Sequence, residues 1–134
     1  YINEICYQTQ MLTSDIIQAL RQHRSYKIIS ESADPRLVKE IKNAGYNITA
    51  VTKGQGSVME GLTKMLEYEI CITQRSENII KEFKNYTYAQ DKSGAFLNVP
   101  IDAFNHAIDA ARYVFLEEIL GQNRKRKDLT GIFY

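Results

Sequence analysis

Tyr26–Val51, YKIISESADPRLVKEIKNAGYNITAV, is the stretch that decides the fold. It opens with an apolar run typical of a strand, Tyr26–Ser30, and closes with a second such run, Ile48–Val51. Between them, Asp34-Pro35 combines a helix cap with a proline at the first helical position, and a glycine ends the predicted helix. The stretch therefore predicts a strand, a helix and a second strand, which is the unit from which α/β sheets are built.

The same alternation of turn residues and apolar runs continues on both sides. We expect further strands over Tyr1–Gln8 and Glu69–Thr73, and a late hairpin around the turn Asp91–Gly94. Further helices are predicted over Asp15–Arg24, from a capping box at Ser57 to Tyr68, after a cap at Ser76, and over Ile101–Leu120. The predicted fold class is therefore α/β, with a mixed sheet flanked by helices, a late β-hairpin and a long C-terminal helix.

Composition limits the class of protein. The chain has 134 residues, of which 44% are apolar and 25% charged, and its formal net charge is +1. These values fit a folded domain and exclude a disordered or collagen-like chain. A net charge near zero gives no global attraction to nucleic acid or acidic membranes, and no apolar run approaches the ~18 residues of a membrane helix. Two cysteines are too few for a disulfide framework, so we expect a soluble, intracellular domain.

The predicted last helix carries the residues best suited to chemistry. Asp102, His106, Asp109 and Tyr113 fall on one polar stripe at the helical period of about 3.6 residues. His106 and Asp109 are about one turn apart, so both side chains can reach one ion or one phosphate. A solvated helix face has the same pattern, and the spacing alone leaves both interpretations open.

Acidic residues also follow the first strand of the central stretch. Ligand sites in α/β folds lie beyond the carboxyl ends of the strands, which is where Glu31 and Asp34 fall. With Asp109, the Asp34 carboxylate could hold a divalent ion such as Mg²⁺, which prefers oxygen ligands. Glu31 is a weaker candidate of the same kind. Helix capping alone also explains Asp34.

Two further regions could contact DNA phosphate. The Gly54–Ser57 stretch lacks the order GxxxxGK[ST], so no nucleotide-binding loop is predicted. The helix that begins at Ser57, with Lys53 beside it, could still bind a phosphate, although a flexible turn before a capped helix explains the pattern too. The four cations Arg124–Lys127 are either a solvated tail or another contact with nucleic acid.

Three motifs, taken in order, resemble the C-terminal nuclease domain of the phage terminase large subunit. They are Glu31-Ser-Ala-Asp34-Pro35; Lys53 with Ser57 and Gly61; and Pro100-Ile-Asp102 with Asn105-His106-Ala-Ile-Asp109-Ala-Ala-Arg112-Tyr113. The last block is the most specific, and the resemblance extends from Tyr1 to about Leu120.

The resemblance implies a ribonuclease H-like fold and an endonuclease that cuts concatemeric double-stranded viral DNA during genome packaging. It also implies two Mg²⁺ or Mn²⁺ ions, one activating water and one stabilising the leaving oxygen. By position, the implied catalytic residues are Asp34, His106 and Asp109, and the implied metal ligands are Asp34 and Asp109. We expect Lys53 and Ser57 to contact the DNA. No role is assigned to Asp102.

The family's first catalytic aspartate lies upstream of the strand that Tyr1–Gln8 resembles, and no residue of this sequence matches it. We therefore expect residues 1–120 to form a nuclease domain without its first strands, weak or inactive alone, and residues 121–134 to form a basic flexible tail. The resemblance also implies the portal protein and the small terminase subunit as partners. We expect a monomeric isolated domain with no membrane contact, in the cytoplasm of an infected or lysogenic bacterium.

Two other classes of protein remain open from the sequence. One is a non-catalytic α/β interaction module, in which Asp34 only caps a helix. The other binds DNA without cutting it, which predicts salt-dependent affinity that survives Asp34→Ala. Convergence of the Asp34 and Asp109 carboxylates on one ion would favour the nuclease.

Overall fold

The computed structural model describes residues 1–121, which form two compact units. The first, called the hairpin unit here, comprises Tyr1–Tyr7 and Ile70–Ala111. The second, the parallel unit, comprises Gln8–Glu69 and residues 112–121. Each unit contains helices and one two-stranded sheet. The basic tail predicted for residues 121–134 lies outside the described residues, except for Gly121.

The parallel unit is built on the predicted strand–helix–strand stretch. Two strands, β1 (Ile28–Ser30) and β2 (Ile48–Ala50), pair in parallel with Ile28 opposite Ile48. Parallel neighbours need a crossover connection, and here helix α2 (Pro35–Asn43) provides it. The remaining helices are α1 (Thr13–Ala19), a short 3₁₀ turn (Arg21–His23) and α3 (Ser57–Met65). The predicted strand–helix–strand order of the central stretch is therefore confirmed.

Two apolar clusters hold the parallel unit together. The first contains the buried residues Ile41, Tyr46 and Ile48, with side chains of α1, α2 and β1 packed around them. Tyr46 can be buried because its hydroxyl donates a hydrogen bond to the Ile17 carbonyl at 3.1 Å. The second cluster contains Val51, Tyr113 and Leu116. The chain after β2 is therefore anchored against residues from the last helical region.

The hairpin unit contains the predicted late hairpin. Helix α4 (Glu77–Asn85) precedes the antiparallel strands β3 (Tyr88–Gln90) and β4 (Phe96–Pro100). In the turn between them, the Asp91 carboxylate accepts hydrogen bonds from the Ser93 and Ala95 amides at 2.8 and 3.0 Å, and Gly94 has φ +85°. Bonds between an aspartate side chain and nearby backbone amides and a glycine with positive φ are typical of such turns. The hairpin prediction is therefore confirmed.

The start of the last helix differs from the prediction. Helix α5 (His106–Val114) begins at His106 rather than at Ile101, because Phe104 adopts φ +56°, which no α-helix contains. Asp102 therefore precedes the helix and does not share its polar stripe. The helix continues in a π-helical segment, Phe115–Leu120.

Three other local predictions are wrong. Neither Tyr1–Gln8 nor Glu69–Thr73 forms a strand, and the two segments share one parallel bridge, between Ile2 and Ile72. The Glu4 amide and carboxylate bond instead to Ser76 and Asn78 around the start of α4. The cap of α3 is Gly56, with φ +77°, and Ser57 is already helical and buried. Within residues 1–121, no helix has the length and apolar character needed to span a membrane.

Candidate functional site

Asp34 caps helix α2, as its sequence context indicates. Its Oδ1 accepts a hydrogen bond from the Leu37 amide at 3.1 Å, which satisfies one of the unpaired amides of the first turn. Its Oδ2 lies 3.9 Å from the Arg36 guanidinium, and the side chain is half exposed. The carboxylate thus has a structural role, and only one of its two oxygens accepts the capping bond.

Glu31 lies directly after β1, at the carboxyl end of the strand. Its Oε1 pairs with the Lys53 ammonium and accepts a hydrogen bond from the Ser32 amide at 2.9 Å, while its Oε2 accepts one from the Tyr113 hydroxyl. The bond from Lys53, followed by that from Tyr113, lowers the pKa of Glu31 from 4.5 to about 2. Glu31 is therefore a charged, fully engaged carboxylate at the edge where α/β folds bind ligands.

Tyr113 connects this carboxylate to two cations. The side chain is 8% exposed, the Lys53 ammonium lies 5.3 Å from the ring centroid, and the Arg112 guanidinium lies 4.9 Å from it. Both distances are within cation–π range. Glu31, Lys53 and Tyr113, called the Glu31 cluster below, form one connected polar group within the parallel unit. Its members were visible in the sequence, but their mutual contacts were not.

The other residues of the second motif have packing roles. Ser57 is 7% exposed, and its amide donates a hydrogen bond to the Gly54 carbonyl at 3.1 Å. A Cβ on Gly61 would lie 2.4 Å from Cγ of the buried Arg112, a distance that real side chains do not show. Glycine at position 61 therefore leaves room for the Arg112 side chain beside α3.

His106 and Asp109 both lie in the first turn of α5, three residues apart on one helix. His106 is exposed and Asp109 is partly buried. The imidazole faces the Tyr7 ring at a centroid separation of 6.5 Å and an interplanar angle of 68°, which is an edge-on contact. Just before the helix, the Asn105 side-chain amide donates a hydrogen bond to the Asp102 carboxylate at 3.3 Å.

Glu82 is a buried residue of this region that sequence reasoning missed. Its side chain is 2% exposed in α4, and its carboxylate accepts hydrogen bonds from the Tyr7 hydroxyl and from the amides of Ala107 and Ile108. Glu82 belongs to no motif and lies in an ordinary amphipathic helix, so the sequence carries no signal for it. Only the tertiary structure reveals its contact with the start of α5.

The predicted site residues belong to different units of the structure. Asp34 lies in the parallel unit with the Glu31 cluster, whereas His106 and Asp109 lie in the hairpin unit. Carboxylates suit Mg²⁺ or Mn²⁺ chemically. However, no group of three or more His, Cys, Asp or Glu side chains among residues 1–121 is arranged to hold a metal ion.

A ribonuclease H-like α/β domain is the class of protein that this fold defines. The structure is similar to that of the nuclease domain of g2p, the large terminase of the bacteriophage SPP1, which was crystallised with bound Mn. The TM-score is 0.73 and the identity 28%, with 82% of this chain and 66% of that chain covered. Residues 1–117 match the family described as Terminase RNAseH like domain, and the chain belongs to that family.

Curated sequences agree with this assignment. The terminase large subunit of Bacillus phage SPP1 is 35% identical over 107 residues, which are 77% of this chain and 25% of that protein. The PBSX phage terminase large subunit of Bacillus subtilis (strain 168) is 28% identical over 116 residues, 84% of this chain and 27% of that protein. The chain therefore spans about a quarter of the length of these relatives. The predicted family and fold are confirmed.

Proposed function

We propose that this chain supplies the endonuclease activity of a viral DNA-packaging terminase, cutting concatemeric double-stranded DNA by metal-dependent hydrolysis. Family membership over residues 1–117 is the observation that carries the proposal. The related SPP1 nuclease domain was crystallised with bound Mn, which supports Mn²⁺ or Mg²⁺ as the cofactor. We propose two ions in the complete site, as the resemblance implies.

Asp109 and His106 are the proposed metal ligand and its catalytic neighbour. Their placement in one helical turn supports a shared role, because side chains three residues apart lie on the same helix face. An imidazole beside a metal ligand can orient a water molecule or accept its proton, and this is the role we propose for His106.

The acidic position after the central strand has two candidates. Asp34 is the residue that the motif assigns, and its capping bond uses one carboxylate oxygen only. Glu31 is closer to the end of β1 and is held ionised by Lys53 and Tyr113. We propose that Asp34 is the metal ligand, and the experiment below compares variants of Asp34 and Glu31.

DNA is the proposed substrate, and Lys53 is its best supported contact. The Lys53 ammonium is partly exposed beside Glu31 and can reach a phosphate from there. Ser57, the second proposed contact, has weaker support because its side chain is buried. By family membership we further propose the portal protein and small terminase subunit as partners, in the bacterial cytoplasm.

We also propose that the 134-residue chain alone cuts DNA weakly. The resemblance supports this proposal, since no residue of this sequence matches the family's first catalytic aspartate. Metal sites with few protein ligands bind ions weakly, so a high Mn²⁺ concentration and excess protein are needed.

Nicking of supercoiled plasmid tests the proposal. We expect slow, Mn²⁺-dependent nicking that a chelator abolishes and that Asp109→Ala removes. Asp34→Asn and Glu31→Gln identify the second carboxylate, and Glu67→Gln, on an exposed carboxylate of a surface ion pair, is the matched control. Nicking that persists in chelator or in Asp109→Ala contradicts the proposed site. Salt-dependent DNA binding without any cutting would support the DNA-binding module, and rapid nicking would contradict weak activity.

A further inference from the structure

Glu82 is a buried carboxylate that the proposed hydrolysis does not use. Burial of a charge is costly unless hydrogen bonds compensate for the lost water. Here both oxygens have partners: Oε1 accepts from the Tyr7 hydroxyl at 2.7 Å, and Oε2 accepts from the Ala107 and Ile108 amides at 2.7 and 3.1 Å. The arrangement is specific, and all four residues belong to the hairpin unit.

Glu82 caps the start of helix α5 by accepting hydrogen bonds from these two amides. The first amides of a helix have no partner within it, and they carry a partial positive charge that favours an anion. Ala107 and Ile108 are the second and third residues of α5, directly after His106. Glu82 therefore fixes the turn that carries the imidazole.

The hydroxyl of Tyr7 provides a second connection to His106. The hydrogen bond to Glu82 is the largest cause that raises the pKa of Tyr7 from 10.0 to about 12, so the hydroxyl stays a donor throughout the ordinary pH range. The bond holds the Tyr7 ring edge-on to the imidazole, with 6.5 Å between the ring centroids.

We propose that Glu82 is a positioning residue for His106. One carboxylate oxygen fixes the helical turn on which the imidazole stands, and the other fixes the aromatic ring against which the imidazole packs. This inference rests on the proposed function, because orientation of His106 matters to catalysis only if the chain hydrolyses DNA. Misplacement of a reacting group by about 1 Å can cost up to roughly 100-fold in rate, which is what such positioning prevents.

The chain offers a matched control in Glu4. Its carboxylate accepts hydrogen bonds from the Asn78 and Ile79 amides at 3.1 and 3.2 Å, which are the second and third residues of α4. Glu4 therefore caps α4 in the same unit as Glu82 caps α5, by the same kind of contact. Loss of either cap removes comparable stability, but only Glu82 bonds to the helix that carries His106.

Nuclear magnetic resonance of the metal-free, DNA-free 134-residue chain tests the proposal. We compare Glu82→Ala with Glu4→Ala, and measure the Tyr7–His106 ring cross-peak, the His106 ring proton shifts and the melting temperature. Glu82→Ala is expected to abolish the cross-peak and move the His106 shifts toward those of an unstructured peptide, while Glu4→Ala preserves both. Unchanged His106 signals in Glu82→Ala, or equal changes in both variants, overturn the proposal.

Tyr7→Phe tests the proposal if Glu82→Ala does not fold. The variant removes the bond to Glu82 and keeps the ring, so we expect a folded protein in which the cross-peak is weakened severalfold. A cross-peak of wild-type intensity in Tyr7→Phe overturns the claim that Glu82 holds the ring. The plasmid assay does not depend on these signals. Absence of nicking would contradict the proposed function, whereas the NMR comparison would still show whether Glu82 positions His106.

Discussion

Tyr113 donates a hydrogen bond through its buried hydroxyl to the carboxylate of Glu31, which lies 82 residues earlier in the chain. The bond connects the end of β1 to helix α5 within the parallel unit. Because Lys53 pairs with the same carboxylate, loss of Glu31 removes the ion pair with Lys53 and the hydrogen bond from Tyr113 together. The cluster can therefore be tested by its effect on stability as well as on activity.

Stability should depend on the charge of Glu31. Its pKa is lowered from 4.5 to about 2, so the stabilisation is complete above pH 4.5 and is lost as the pH falls through about 2. Lys53 and Glu31 are each more than a third exposed, and solvent screening limits the contribution to about 1 kcal/mol. Melting curves of Glu31→Gln and wild type should differ at neutral pH and converge toward pH 2. A difference that is constant over that range would contradict this prediction.

Gly61→Ala should destabilise the parallel unit. The new Cβ would lie 2.4 Å from Arg112 Cγ and 3.0 Å from its Cδ, and the buried side chain has little room to move. Overpacking of this kind costs about 1–3 kcal/mol, which exceeds the roughly 1 kcal/mol gained in helix propensity. Urea denaturation measures the change. Gly54→Ala is the control, because nothing lies within 4 Å of its added Cβ, and an equal loss there would contradict the packing argument.

Capping and metal binding by Asp34 can be separated by two variants. Asp34→Ala removes the bond to the Leu37 amide and should cost about 1 kcal/mol in the free energy of unfolding. Asp34→Asn keeps a side-chain oxygen for that bond, so its stability should stay near wild type. If Asp34 also binds metal, Asp34→Asn should lose Mn²⁺-dependent nicking while remaining stable. Full nicking in a stable Asp34→Asn variant would leave Asp34 with capping alone.

Tyr7 should titrate later than an ordinary tyrosine. The hydrogen bond to Glu82, then burial, raises its pKa from 10.0 to about 12. A raised pKa in the folded state means that this stabilisation is complete below pH 10 and is lost as the pH rises through about 12. The ring carbon signals of labelled tyrosine give the measurement, with Tyr7→Phe to assign the resonance. Titration of Tyr7 near pH 10 would contradict the hydrogen bond.

Local patterns in the sequence predicted those parts of the fold that depend on near neighbours. Asp34-Pro35 and Gly45 bound helix α2 as expected, since a cap, a fixed φ and a left-handed glycine act within one turn. The turn at Asp91–Gly94 is confirmed for the same reason. The start of α5 was predicted five residues early, because the positive φ of Phe104 is not a preference of that residue type.

The candidate site could be predicted only as far as its motif residues. His106 and Asp109 were singled out by their spacing on one helix, and Asp34 by its position after a strand. Glu82 could not be found, because its partners Tyr7 and Ala107 are distant in the chain and none of the three belongs to a motif with the others. The contacts of Glu31 with Lys53 and Tyr113 were hidden for the same reason.

The sequence by itself determined the class of protein, since the order of strands and helices and the block Asn105–Tyr113 follow from the order of the amino acids alone. The tertiary structure alone decided which charges are neutralised by which partners: Glu82 by the start of α5, and Glu31 by Lys53 and Tyr113. The physical reason is that helix caps and turns are satisfied within a few residues, whereas the donors to Glu82 and Glu31 come from residues distant in the sequence that only packing brings together.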